Sequence, residues 1–153
     1  MTRKPPPWER PLWTCDRCGK SFVTRNVYHS CTIVPIESHF VNRPNAYRLF
    51  VALRAAIEEH GPVTLASNKS RIAFMTRVRF GGVQVRNDYL RVSFWLKRRI
   101  ASPRIVKYEE YGPRDFGYIF ELRDPDGIDA EVREWLREAC AVGRQDHLRP
   151  AQS

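Results

Sequence analysis

No run of eighteen apolar residues occurs anywhere in the chain, which excludes a membrane-spanning helix. An apolar leader core is missing too. Residues 1–14 are rich in proline and arginine, so the expected protein is soluble, cytoplasmic and held in a reducing compartment. Catalytic signatures are absent: no Gly-x-Ser-x-Gly elbow, no His-Glu-x-x-His, no phosphate loop and no Rossmann glycine fingerprint. Adjacent Glu109 and Glu110 would point to opposite faces of a strand, a poor start for a carboxylate pair. Nothing nominates an enzyme, and the reading leans towards a binding protein. Acids are nearly missing from one stretch. Residues 69–107 contain Asp88 alone against eleven lysines and arginines, while residues 108–153 carry eleven acids against six bases. This division makes one face of the fold a candidate for polyanions; the competing reading is that the bases pair with the acidic C-terminal segment.

Cysteine is scarce, yet three of the four fall close together. Cys15, Cys18, His29 and Cys31 form Cys-x2-Cys-x10-His-x-Cys. Three thiolates and an imidazole suit the closed tetrahedral coordination of structural zinc. Such a short segment buries too little apolar surface to fold alone, so the metal would supply its fold. Gly19 directly after Cys18 allows the tight turn that aims two thiolates at one ion. A disulfide or a redox Cys-x-x-Cys are the competing readings; a redox pair usually opens a helix behind a strand, and nothing before Trp13 reads as one. Four protein ligands leave no open position for water, so a Lewis-acid role is not expected. Cys140, far along the chain in a helical pattern, reads as a small core residue.

Residues 1–12 read as a flexible proline-rich lead-in, 13–37 as the zinc module, 38–148 as an α+β domain and 149–153 as a flexible tail. Trp8 and Trp13 are expected on the module, with Phe22 and Val23 as its small apolar core. Ala46, Leu49, Phe50, Leu53, Ala56 and Ile57 make the stripe of a helix over Pro44–His60, stopped by Gly61 and Pro62. Strands are expected over Val63–Ala66, Arg71–Arg77, Arg79–Arg86, Tyr89–Leu96, Arg104–Tyr108 and Phe116–Leu122. In the fourth, Leu90, Val92, Phe94 and Leu96 alternate with Tyr89, Arg91, Ser93 and Trp95. Asn87 and Asp88 suit a two-residue hairpin turn, and Gly81–Gly82 suggests a bulge. Ile128, Val132, Trp135, Leu136, Ala139 and Val142 mark a last helix that Gly143 ends. The expected fold is α+β: an antiparallel sheet of five or six strands flanked by an N-terminal and a C-terminal helix, both on one face. The other face would be open and basic if its arginines alternate outward.

On that face Lys69, Arg71, Arg77, Arg79 and Arg91 would neutralise phosphates, with Tyr89 or Trp95 as stacking groups for single-stranded nucleic acid. Two other readings stay open. One is a small-anion-binding or enzymatic domain with a pocket between sheet and helices, using Lys69, Arg71 and Arg114. The other is a protein-interaction module that docks through the zinc unit.

The runs Trp13–Phe22, Lys69–Phe74, Val132–Leu136 and Ala141–Gln145, with Asn26, His29, Cys31 and Pro62–Thr64, resemble a bacterial family, domain of unknown function number 5655. The resemblance extends from about Trp13 to Leu148. It implies a compact α+β domain, sometimes joined to nuclease-like domains or labelled a predicted transport protein, and carries no mechanism.

Overall fold

The computed structural model describes residues 5–150; the outermost parts of the expected lead-in and tail, 1–4 and 151–153, lie outside the described residues. A small hairpin, β1 (Trp13–Thr14) and β2 (Ser21–Phe22), precedes helix α1 (Pro44–Glu58). Six strands follow: β3 (Thr64–Ser67), β4 (Ile72–Met75), β5 (Arg79–Val85), β6 (Leu90–Leu96), β7 (Ile105–Gly112) and β8 (Asp115–Leu122). Helix α2 (Ala130–Gly143) closes the domain. The six strands form one antiparallel sheet in the order β3-β4-β5-β6-β8-β7. No described helix is long and apolar enough to cross a membrane.

Alternation decides which face is covered. In β6 the apolar set Leu90, Val92, Phe94 and Leu96 is buried while Arg91, Ser93 and Trp95 are half-buried on the other side. In β8, Phe116, Tyr118, Phe120 and Leu122 repeat the pattern. Those inner residues pack against Leu49, Leu53 and Ile57 of α1 and Val132, Trp135 and Leu136 of α2 in one core. Both helices therefore lie on the same face. α1 starts at Pro44, whose fixed φ suits a first helical turn. α2 starts at Asp129, whose carboxylate accepts from the Val132 N–H at 3.1 Å; that hydrogen bond leads the causes lowering the Asp129 pKa.

Turn chemistry sets the register. Arg86 N–H donates to the Tyr89 carbonyl at 2.9 Å, closing the two-residue turn at Asn87–Asp88. Between β4 and β5 the register shifts, with Phe74 opposite Gly81 but Met75 opposite Arg79, so Phe80 is inserted into the core. Cys140 is buried beside the Ile57 carbonyl, and burial pushes its thiol up to about 11, as suits an inert core residue.

The end of α2 is tied to the β4–β5 turn, because the Gly143 carbonyl accepts from the N–H groups of Arg77 and Val78. A Cβ on Gly143 would sit 2.4 Å from both Phe80 Cδ1 and Thr76 Oγ1. Gly143→Ala is expected to destabilise the fold by about 1–3 kcal/mol through overpacking, measured as a lowered thermal midpoint. An unchanged midpoint would show that this corner yields freely.

Candidate metal centre and basic sheet face

The β1–β2 hairpin is held by Cys15 N–H to the Lys20 carbonyl (2.8 Å) and Gly19 N–H to the Cys15 carbonyl (2.9 Å). Gly19 takes φ +75°, which a side chain would resist. Cys15 and Cys18 thus project from one tight knuckle, and the chain returns past a turn at Asn26 to bring His29 and Cys31 beside them. Their four ligand atoms all lie within 4.8 Å of one another. Cys15 Sγ is 3.8 Å from Cys31 Sγ, and His29 Nε2 is 3.4 Å from Cys18 Sγ and 3.5 Å from Cys31 Sγ. A tetrahedral ion with bonds of about 2.3 Å to sulfur and 2.0–2.1 Å to nitrogen requires edges of about 3.8 Å and 3.6 Å. The donor set and the spacing both fit a bound metal ion.

The surroundings fix the His29 tautomer and shift the pKa values of the ligands in different directions. His29 Nδ1 lies 2.8 Å from the Val27 carbonyl, to which it donates in the tautomer that leaves Nε2 for the metal. That contact is also the main reason the His29 pKa is raised. The Cys15 thiol is lowered to about 6, chiefly by the Cys18 backbone N–H and then that of Arg17, so the knuckle amides already favour a thiolate. Burial raises the Cys31 thiol. Phe22 packs on the His29 ring at 4.5 Å between centroids, and Trp13 meets it edge-on at 5.9 Å. Val23 is exposed and so does not belong to this small core. Trp8 lies away from the module, against Pro62, Thr76 and Arg149 at the end of the domain.

The metal module also covers part of the face that was expected to be open. β4 is buried at all four positions. Ile72 and Phe74 point into the helix-covered core; Ala73 and Met75 point outward and share a seam with Phe22, Val27, Tyr28 and His29, enclosing about 420 Å³. The module is thus a lid on the β3–β4 end of the sheet, and the outer face stays open only from β5 to β7.

The basic residues divide into two groups. Lys97 pairs with Asp115, Arg98 with Glu138, Arg99 with Glu110, Arg104 with Asp129 and Lys107 with Glu109. For these five, pairing with the acidic C-terminal segment is the correct account. Arg71, Arg79 and Arg91 have no carboxylate ion-pair partner among the described residues, and all three lie on the outer face. Arg71 and Arg91 line a concavity of about 170 Å³ with Gln84, Ser93, Trp95, Tyr111 and Gly117. The Arg79 guanidinium lies over the Trp95 ring, 5.8 Å from its centroid. Arg79 is exposed as a whole residue, yet desolvation of its guanidinium, and then Arg71, lower its pKa. The Arg91 Nε is buried without a hydrogen-bond partner.

Other expected contacts lie elsewhere. Arg77 is a clamp: Nε donates to Gln145 Oε1 at 2.9 Å, and its terminal nitrogen to the carbonyls of Pro7 (3.1 Å) and Arg10 (2.6 Å). Tyr89 lies at the β5–β6 turn, where Arg123 covers its ring at 4.0 Å. Lys69 and Arg114 are exposed on turns outside the concavity. Tyr111 was missed because the strand was expected to end at Tyr108. β7 instead continues to Gly112, with a register shift after Glu110. Its phenol hydrogen-bonds Glu109, which is the main cause lowering the Glu109 pKa. At the end of the sheet–helix layer lies a cavity of about 140 Å³ beside Ile57, His60, Phe80 and Cys140, with none of Lys69, Arg71 or Arg114 in its lining.

A family model described as a domain of unknown function (DUF5655) matches residues 36–141, which leaves Cys15, Cys18, His29 and Cys31 outside the match. No curated protein and no solved structure matches the chain.

Proposed function

The chain belongs to the DUF5655 family, and we propose that this member is a zinc-stapled, non-enzymatic binding protein whose outer sheet face contacts nucleic acid. One observation carries the reading: among the described residues Arg71, Arg79 and Arg91 have no ion-pair partner, because the nearby carboxylates Glu109 and Glu121 are taken by Lys107 and Arg123, whereas five neighbouring bases are neutralised by acids. Three desolvated or half-buried guanidiniums on one face repel each other, and a polyanion relieves that repulsion by accepting their hydrogen bonds. Trp95 and Tyr111 beside them add the aromatic surface that single strands use. Zinc is the ion that three thiolates and one imidazole in a closed tetrahedron select, and its contribution when bound is structural. Cys15, Cys18, His29 and Cys31 would hold it, keeping the module seated on β4.

The test is a fluorescence-anisotropy titration of the metal-loaded protein with labelled single- and double-stranded oligonucleotides at several salt concentrations. Three phosphate contacts predict that log affinity falls with log salt at a slope of roughly −2 to −2.7. Neutralising Arg71, Arg79 and Arg91 to Gln should remove most of the affinity and flatten the slope. Arg137→Gln, on the far side of the domain in a pair with Glu134, should change neither. A wild-type response independent of salt would refute the reading.

A further inference from the structure

Resting on that reading, we infer that the outer-face concavity takes one nucleotide as a unit: phosphate on Arg71 and Arg79, base on the aromatic surface that Trp95 and Tyr111 form above Gly117. Arginines alone would make a phosphate track indifferent to what the phosphate carries. What distinguishes this place is the absence of a side chain at Gly117. A Cβ there would lie 3.1 Å from Trp95 Nε1 and 3.1 Å from Tyr111 Cε2, so the two aromatic side chains settle on bare backbone and occupy the space a side chain would take. Trp95 and Gly117 are direct cross-strand partners, and the register shift in β7 brings Tyr111 to the same spot. The result is an aromatic platform in the concavity, bordered on the β7 side by the Lys107–Glu109 pair.

Phosphate recognition adjoins it. Arg79 rests on the indole itself, so an anion held by Arg79 is next to the aromatic surface. Arg71 is close enough to Arg79 to lower its pKa and to act on the Tyr111 phenol. Arg91 presents its guanidinium from the opposite side of Ser93, with Nε unpartnered. Gln84 supplies both an amide donor and a carbonyl acceptor for the edge of a base. A base paired inside a duplex has neither a free face nor a free Watson–Crick edge to offer, so the ligand must present the base unpaired. Two sources share that chemistry: a residue of a single strand, and a free mononucleotide. Arg79 also lines the seam beneath the metal module, where Tyr28 is 99% exposed, so a strand leaving the platform would meet further aromatic surface.

The experiment compares five ligands on the full, metal-loaded chain: a ten-residue thymidine strand, an abasic strand with the same phosphates, the strand's duplex, AMP and inorganic phosphate. The thymidine strand should bind roughly 10- to 100-fold more tightly than the abasic one, and more tightly than the duplex. Trp95→Ala should remove that preference while the salt slope persists. Tyr111→Ser, at a position 63% exposed, gives the same readout with little effect on folding. AMP binding well above phosphate assigns a free nucleotide; strand binding without AMP binding assigns a single strand. Equal affinity for abasic and thymidine strands overturns the inference but leaves the phosphate-binding reading standing. Absence of binding to every ligand at low salt overturns both.

Discussion

Cys18→Ser is expected to release the bound metal and unfold residues 13–37, while the six-stranded sheet and both helices remain folded. The effect is large because a structural metal of this kind contributes an apparent free energy of about 10–16 kcal/mol to the segment that holds it. Nothing else in the module approaches that. Its hairpin has two residues per strand, and its apolar contacts are Trp13 and Phe22 on the His29 ring. A serine hydroxyl does not ionise as a thiol does, so the site becomes a three-ligand site with much weaker hold on the ion. The buried main core begins at Phe40, and of residues 13–37 only Ile36 packs against it, which is why unfolding should stop there. Metal content and amide hydrogen exchange read the two halves of the expectation. One full metal equivalent retained would overturn the ligand assignment; lost protection throughout β5–β8 would show that the module supports the whole domain.

Phe94→Ala should destabilise the sheet–helix domain by about 3–5 kcal/mol. Phe94 lies mid-strand in β6, 1% exposed, with its ring stacked on Trp135 at 5.2 Å and against Tyr118 and Phe120 at 5.6 and 5.9 Å. It links the two inner strands to α2, and three flat rings cannot collapse into the space it leaves. A domain holds roughly 5–15 kcal/mol in total, so the loss takes a large share. At a urea dependence of about 1–3 kcal/mol per molar, the midpoint should fall by roughly 2 M. A shift below half a molar would mean that this stack is not the centre of the core.

What the sequence makes legible follows from how local each signal is. Period-two alternation in Leu90–Leu96 and Phe116–Leu122, the stripe in Pro44–Glu58 and the two-residue turn at Asn87–Asp88 depend on neighbours along the chain, and the structure has them within a residue or two. The Cys/His cluster is legible because coordination chemistry restricts both residue type and spacing. The lid formed by the metal module is not local. Its one trace was the run Ile72–Met75, apolar at every position, which is how a strand covered on both faces reads. Arg77 has the same residue type and neighbourhood as Arg79, and only the tertiary placement of Pro7, Arg10 and Gln145 turns it into a clamp. Tyr89 fits the alternation of β6 but lies one residue beyond the strand, where the turn redirects it towards Arg123. Tyr111 depends on a register shift that composition does not encode.

The two borders of the sheet differ in a way that limits how copies of this chain can associate. Beside β3 runs the segment after the metal ligands, whose Val34 N–H donates to the Ser67 carbonyl at 3.3 Å. Among the described residues, β7 has no strand on its outer side. A sheet with two bare borders can add chains at both and grow into a ribbon; one with a single bare border stops after one addition. Lys107, Glu109 and Glu110 along β7 further penalise any pairing that does not match their charges. Strand-to-strand association through β7 alone is therefore expected to end in a closed pair.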